Sequence, residues 1–354
     1  MRIVDRYVGR SVAVSSALVL LVLLSLFSFI SFIGELGDIG KGNYGLFDAV
    51  QYVLLTLPSQ AYQIIPLVAL LGTTLGLGIL AHNNELVVLR TSGVSLVRIV
   101  VSVMKVGLVL ILISVALGEW AAPWSEQYAQ SLRATAMLEP VTLRTEEGFW
   151  ARDGNSFINI KKVLSDGRLE DIDIYEIDDQ YRLYKLIHAG SASYLGNEWL
   201  LENIVNNAIS EERVVTTKLP KIAWNTLINP ELLDVVAVTP EKLSGWGLYK
   251  YIGYLNENGL AAGRYELALW GKIMSPIATG VMVFLSVPFI FGSLRTVSIT
   301  QRILTSAFIG IGFHLFNQTV NYVALVYRVD PAFSAITPTV LFFILALYLM
   351  RRAN

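Results

Sequence analysis

Apolar residues dominate six stretches of this 354-residue chain, near 11–33, 50–80, 99–120, 267–291, 303–325 and 334–350. Each approaches or exceeds the roughly 20 residues that a helix needs to cross a bilayer. The second is long for one crossing and holds Pro58 and Pro66, which predicts a kink or a tilt. Between the third and fourth stretches the pattern changes. From about Thr142 to Val238 hydrophobic and polar positions alternate with a period of two, broken by turn residues. Asp153-Gly154-Asn155 separates Gly148–Arg152 from Ser156–Ile160 and predicts a hairpin. Further short strands are expected through Ile172–Ile177, around Tyr184 and Tyr194, and at Trp199–Leu201, Val214–Leu219 and Ile222–Trp224. About 100 residues of this kind suffice for one sandwich, jelly roll or barrel. The fold class is therefore a six-helix transmembrane protein with an all-β domain inserted between the third and fourth helices.

Two amphipathic segments flank these blocks. Thr239-Pro240-Glu241 reads as a helix start, Leu248, Ile252 and Leu255 recur at helical spacing, and Asn258-Gly259 supplies a stop. This helix is expected at the outer membrane surface, with Trp246, Tyr249, Tyr251 and Tyr254 at headgroup level. The second segment, residues 82–93, separates the second and third spans. Asn83 or Asn84 is its expected cap, Glu85 lies in the first turn, Arg90 in the last, and Gly93 at the left-handed stop. Leu86 and Leu89 share one face with Arg90 beside them, an apolar surface that must meet lipid, the bundle or a partner.

Composition supports the membrane reading: 54% of residues are hydrophobic, 16% are charged, and mean hydropathy is +0.55. Soluble proteins carry about 25% charged residues. A net charge of −1 argues against a nucleic-acid partner, and the lack of cysteine excludes disulfides and thiol chemistry. The apolar run from Ser11 to Ile33 exceeds a signal-peptide core, so it reads as a retained anchor. Basic residues fix the expected orientation. Arg2, Arg6, Arg10, Arg90, Arg98, Arg295, Arg302, Arg351 and Arg352 fall on one side of a six-span topology, and Lys41 and Arg328 in the opposite short loops. Both termini are then cytoplasmic, and residues 121–266 lie outside the cytosol.

Chemical motifs are sparse. No phosphate-binding loop, zinc-protease motif or nucleophile elbow occurs, and the three histidines stand apart at 82, 188 and 314. Neither a catalytic residue nor a metal site is expected. On the fifth span His314, Asn317, Gln318 and Asn321 form one polar stripe. It reads as an interhelical hydrogen-bond seam or as the lining of a polar or proton path. Lys105 sits two turns inside Arg98 and reads as a snorkelling side chain. From these features alone an ion-coupled transporter or a membrane-anchored scaffold for a β domain remains open.

Several motifs, in order along the chain, narrow that choice. They are Glu85-Leu-Val-Val-Leu-Arg-Thr-Ser-Gly93, Gly118-Glu-Trp-Ala-Ala-Pro123 with Glu126 and Arg133, Trp150-Ala-Arg-Asp-Gly-Asn155, Gly263-Arg-Tyr265 with Trp270 and Lys272, and Phe289-Ile-Phe-Gly-Ser-Leu-Arg295. Together they resemble the LptF/LptG family of lipopolysaccharide-export permeases, with the LptG branch the nearer. The resemblance implies a permease half in the bacterial inner membrane that works with an LptF-type permease, an LptB-type ATPase dimer that binds the ATP, and an LptC-type single-span protein. No cofactor would be bound by this chain. It also implies transmembrane helices 1–3 in residues 1–120 with a coupling helix at 82–93, a periplasmic jelly roll in 121–238, an amphipathic connector in 239–266, and helices 4–6 in 267–354. Glu85, Leu86, Leu89 and Arg90 would couple to the ATPase. Lys41 and Arg133 would meet lipid phosphates at the outer rim, and Phe27, Ile30, Phe32, Leu67 and Leu70 would offer an apolar wall. Where relatives carry basic residues near the outer end of the first span, this chain has Ser31, Gly37 and Asp38. The partner permease would then supply more of the phosphate contacts.

Overall fold

The computed structural model describes residues 3–137, 149–164, 167–178, 180, 182–196, 198–210, 213–224, 239–291 and 298–353. Arg2, Arg295 and the stretches 138–148 and 225–238, on which parts of the sequence reading fall, lie outside the described residues. Six helices among the described residues are long and apolar enough to cross a membrane. They are α1 (Ile3–Leu36), α2 (Leu46–His82), α4 (Leu96–Ala116) with its continuation, α7 (Gly263–Phe291), α8 (Ile299–Tyr327) and α9 (Pro331–Ala353). Between α2 and α4 lies the short α3 (Glu85–Thr91). Pro58 and Pro66 both sit inside the 37-residue α2.

The N-terminal half of α1 lies close against α2 because the contact residues are small. A Cβ on Gly72 would overlap Ser16, and one on Gly76 would come within 2.8 Å of Val12 Cα. Ser11 donates to the Gly76 carbonyl at 3.0 Å. Val8, Val12, Ala69, Leu77, Ile99, Val103, Met282 and Leu285 form the core at this level. The fifth span, α8, joins through a Thr74–Ser306 hydroxyl pair at 3.1 Å and through Gly310, where a Cβ would overlap the Leu67 side chain.

The third span does not stop near residue 120. A π turn, Leu117–Ala121, carries it into α5 (Ala122–Ala136). Pro123 supplies the reason: its ring opposes the carbonyl four residues back, and a wider turn relieves that clash without breaking the helix. Lys272 Nζ donates to the Gly118 carbonyl at 2.6 Å, and the Tyr62 ring occupies the space that a Cβ on Gly118 would need. Residues 122–136, which the resemblance would include in the β domain, are therefore helical.

The middle of the chain forms one six-stranded antiparallel sheet in the order β1 to β6: Phe149–Asp153, Ser156–Val163, Leu169–Ile177, Leu183–Tyr194, Trp199–Ile209 and Val214–Trp224. Ile158, Ile160, Ile172, Ile174, Trp199 and Leu201 are among its buried residues. The expected hairpin forms between β1 and β2, with Gly154 at φ +58°. The segments read as two strands at 214–219 and 222–224 are one strand, β6, which continues through Pro220. As the last strand of the order it has no strand on its other side among the described residues, so the missing proline N–H costs no ladder bond there. Strands adjacent in sequence are adjacent in space, and no crossover joins the described strands.

A 3-10 turn at Pro240–Lys242 precedes α6 (Gly245–Glu257). Ser244, whose side chain accepts from Gly247 N, is the true cap, so the helix starts later than Thr239-Pro240-Glu241 suggests. Asn258 and left-handed Gly259 end it as expected. Tyr251 and Tyr254 are buried, and Tyr254 donates to the Arg152 carbonyl of β1 at 3.0 Å. Only Trp246 and Tyr249 of the four aromatic residues expected at headgroup level point outward, stacked on each other.

Candidate functional site at the two ends and the wall of the bundle

At one end, α3 forms because Glu85 sits in its first turn and Gly93, at φ +87°, stops it. The expected cap differs. Asn84 holds the cap position in a left-handed conformation without a side-chain cap bond, and Asn83 Nδ2 donates to Glu85 Oε1 at 3.2 Å. Tyr7 of α1 donates to Glu85 Oε2 at 2.6 Å. The apolar face turns inward: Leu86 is 3% exposed within the transmembrane core, and Leu89 packs on the same cluster. Leu86, which the resemblance implies as an ATPase-coupling residue, is thus buried in the chain's own bundle and offers little exposed surface. Val87, Val88, Arg90 and Thr91 are the exposed residues of the helix.

Lys105 also differs from expectation. Its Nζ lies 2.6 Å from Asp5 Oδ2, and Ser102 donates to the other Asp5 oxygen at 2.9 Å. A carboxylate on the neighbouring helix gives the ammonium a partner within reach, so it need not extend to the headgroups.

At the opposite end, Arg133 on α5 bridges two carboxylates. Its Nε is 3.1 Å from Glu35 Oε2, and its other guanidinium nitrogen bonds Asp38. Tyr44 donates to Glu35 Oε2 at 2.9 Å, Lys41 Nζ lies 2.6 Å from Asp38 Oδ1, and the guanidinium stands over the Tyr52 ring. Lys41 first, and then Arg133, holds the Asp38 carboxyl below its usual range. The two cations and two carboxylates balance. The Arg133 side chain is 17% exposed and already paired, whereas that of Lys41 is 62% exposed. Below this cluster Gln130 donates to Glu126 at 3.0 Å, and Lys242 from the connector pairs with the same carboxylate. Glu119 Oε2 accepts from Gly245 N at 2.9 Å and so holds the start of α6.

The wall residues divide. Phe27 and Ile30 are exposed, with Leu26, Phe29, Ile33 and Leu36 on the C-terminal half of α1. Phe32 packs against the cluster of Tyr44, Ala49 and Met137. Leu67 lies against Gly310, and Leu70 is fully buried in the core, which takes it out of any open wall. Lower down, Leu18, Val19, Val22 and Leu23 of α1, Leu71 and Leu75 of α2, and Ile303 of α8 line an apolar cleft of about 190 Å³.

The sequence reading missed Glu35, Tyr44 and Tyr7. Glu35 closes an otherwise apolar span at the turn where Arg133 arrives 98 residues later, and only the return of the chain reveals the pair. An acidic residue at the end of such a span was the available signal.

Six spanning helices, a charged cluster at one end and a short surface helix at the other define a multi-pass membrane protein. Its sequence matches the profile of the family described as lipopolysaccharide export system permease LptF/LptG over residues 6–352. The lipopolysaccharide export system permease protein LptG of Haemophilus influenzae is 37% identical over 350 residues, covering 98% of each chain. The LptG protein of Escherichia coli K12 is 36% identical over 355 residues, covering 99% of each. This chain belongs to the LptF/LptG family.

Proposed function

We propose that the protein is one permease subunit of an ATP-driven exporter that takes lipopolysaccharide from the outer leaflet of the inner membrane towards the outer membrane. The full-length match to the export-permease family carries this reading. The Lys and Arg bias supports cytoplasmic termini, a cytoplasmic α3 and a periplasmic β sheet, which would join a bridge of jelly-roll domains. A homologous LptF-type permease completes the pathway, an LptB-type ATPase dimer supplies the nucleotide site, and an LptC-type single-span protein sits beside the first span. The chain itself binds no cofactor.

In this reading the ATPase meets α3 through Glu85, Arg90 and the exposed Val87 and Val88, while Leu86 and Leu89 transmit its displacement inward. Glu85 is tied to Tyr7 and Leu86 to the core, so a push on α3 reaches α1 directly. Phe27 and Ile30 contribute the acyl-chain wall, with Phe32 and Leu67 behind it. Lys41, the exposed cation of the outer cluster, meets a phosphate first, and Arg133 positions Glu35 and Asp38 around it. The test is co-expression with a homologous permease and an ABC ATPase. A stable complex that releases lipopolysaccharide from proteoliposomes on ATP addition is expected. Failure to associate, or release that survives without ATP, overturns the assignment.

A further inference from the structure

The polar stripe on α8 has a counterpart on α2. Two contacts set the antiparallel register of these helices: Ser306 with Thr74, and Gly310 with Leu67. Continued outward at equal rise, that register brings His314 level with Gln63 and Asn317 level with Gln60. The faces also agree. His314 and Asn321 follow Ile303 by 11 and 18 residues, close to whole numbers of helical turns, so they share the side of α8 that lines the apolar cleft. Gln63 and Gln60 precede Leu67 by four and seven residues and share its side of α2.

These groups are not consumed by the chain's own packing. His314, Gln318 and Gln63 are exposed. Gln60 Nε2 donates to Ser31 at 3.1 Å and to Thr56 at 3.2 Å, but its Oε1 finds no partner among the described residues, and neither does Asn321 Oδ1. Unpaired amides at membrane depth cost free energy unless water or a ligand meets them. The set holds no carboxylate, ammonium or guanidinium and offers both donors and acceptors, unlike the charged cluster near Arg133. It lies above an apolar cleft and beside the exposed outer half of α1.

We propose that Gln60, Gln63, His314, Asn317, Gln318 and Asn321 form a polar subsite for the linkage region of a glycolipid: the amide groups that join acyl chains to sugar, and the neighbouring hydroxyls. It deepens the export reading above and rests on it. The acyl chains descend along the apolar cleft, the amide and hydroxyl groups meet this patch, and the phosphates lie further out near Lys41. Continuity with the cleft of the same chain favours a lipid over a second protein helix.

The test uses the complete complex with its partner permease and ATPase, and purified lipopolysaccharide as probe. The paired variant Gln60→Leu/His314→Leu is expected to assemble in normal yield and to bind lipopolysaccharide about tenfold more weakly. Gln60→Asn/His314→Gln keeps the hydrogen-bonding groups and should restore binding to within about threefold. Phe308→Leu, on the opposite side of α8, leaves binding unchanged. Dephosphorylated lipopolysaccharide should show the same ratio between parent and leucine variant. Unaltered binding by the leucine pair overturns the proposal, as does a defect that disappears with the phosphates. Dissociation of the leucine variant's complex also overturns it, because the stripe is then a seam between chains. A parent complex that binds no lipopolysaccharide removes the export reading itself, a result distinct from a defect confined to the variant.

Discussion

The two halves of the first span have similar apolar sequences and opposite surroundings. From Val8 to Ser16 the helix is held against α2, with Gly72 and Gly76 opposite it, and both Ser15 and Ser16 are buried. From Leu21 to Leu36 it presents Leu26, Phe27, Phe29 and Ile30 outward, and its polar end is gathered by Arg133. Small residues set the first behaviour, because only close backbone approach earns packing energy where lipid is as apolar as leucine. Large residues set the second. One helix is thus a fixed post below and an open wall above.

The strongest test of this contrast is to pry the lower half loose. Gly72→Leu forces side-chain atoms into Ser16 and is expected to cost roughly 3 kcal/mol or more. Loss of folded protein on size-exclusion chromatography would be its sign, and a normal yield would show that the close approach is dispensable. At the outer end Arg133→Ala strands Glu35 and Asp38 and should cost roughly 1.5–3 kcal/mol, read as a lowered thermal midpoint in detergent. An unchanged midpoint would mean that the cluster holds nothing together.

Glu85→Arg breaks the Tyr7 hydrogen bond at the foot of α1 and reverses a charge on α3. Thermal stability should fall by about 1 kcal/mol or less, while ATP-driven lipopolysaccharide release is lost. Normal release would remove α3 from the coupling path. On the open wall, Phe27→Ala with Ile30→Ala should change stability within about 0.5 kcal/mol yet reduce lipopolysaccharide binding severalfold. A large loss of stability there would place these side chains in a packed core. The smallest effect concerns pH. The Asp38 carboxyl is held below its usual range, so its pairing is complete above the ordinary carboxylate pKa of about 4. It is lost only as acid carries the pH down through the lowered value. Thermal stability of the Lys41→Ala variant relative to the parent should therefore be flat between about pH 5 and pH 8.

Hydropathy made the six spans legible, and alternation with turn residues located all six strands, though it split β4 and β6 into two segments each. Period and turn chemistry are local, so they survive in the sequence. What failed was non-local or depended on a single competing term. The apolar run ends near residue 120, but a π turn absorbs Pro123 and the helix continues to Ala136. The pattern separates 214–219 from 222–224, but they are one strand through Pro220, at the edge of the described sheet, where the missing donor is harmless. In the candidate site, the position and limits of α3 were readable from Glu85 and Gly93. The direction of Leu86 was not, because a two-leucine stripe on seven residues fits a partner's groove and the helix's own bundle equally well. Likewise Lys41 and Arg133 were readable as cations, whereas Glu35, which neutralises Arg133, is brought to it by tertiary folding alone.

The unbroken helix of the third span has a mechanical consequence. From Leu96 to Ala136 it runs 41 residues, about 60 Å at 1.5 Å per residue, roughly twice the thickness of the hydrocarbon layer. Its lower end follows α3 directly, and its upper end carries Arg133 to the outer cluster. A rod of that length is a lever arm. A tilt of about 5° about its lower end sweeps the upper end through about 5 Å, the scale on which an ion cluster opens or closes. Gly118, where Lys272 clasps the widened turn, is where that arm is braced against the fourth span.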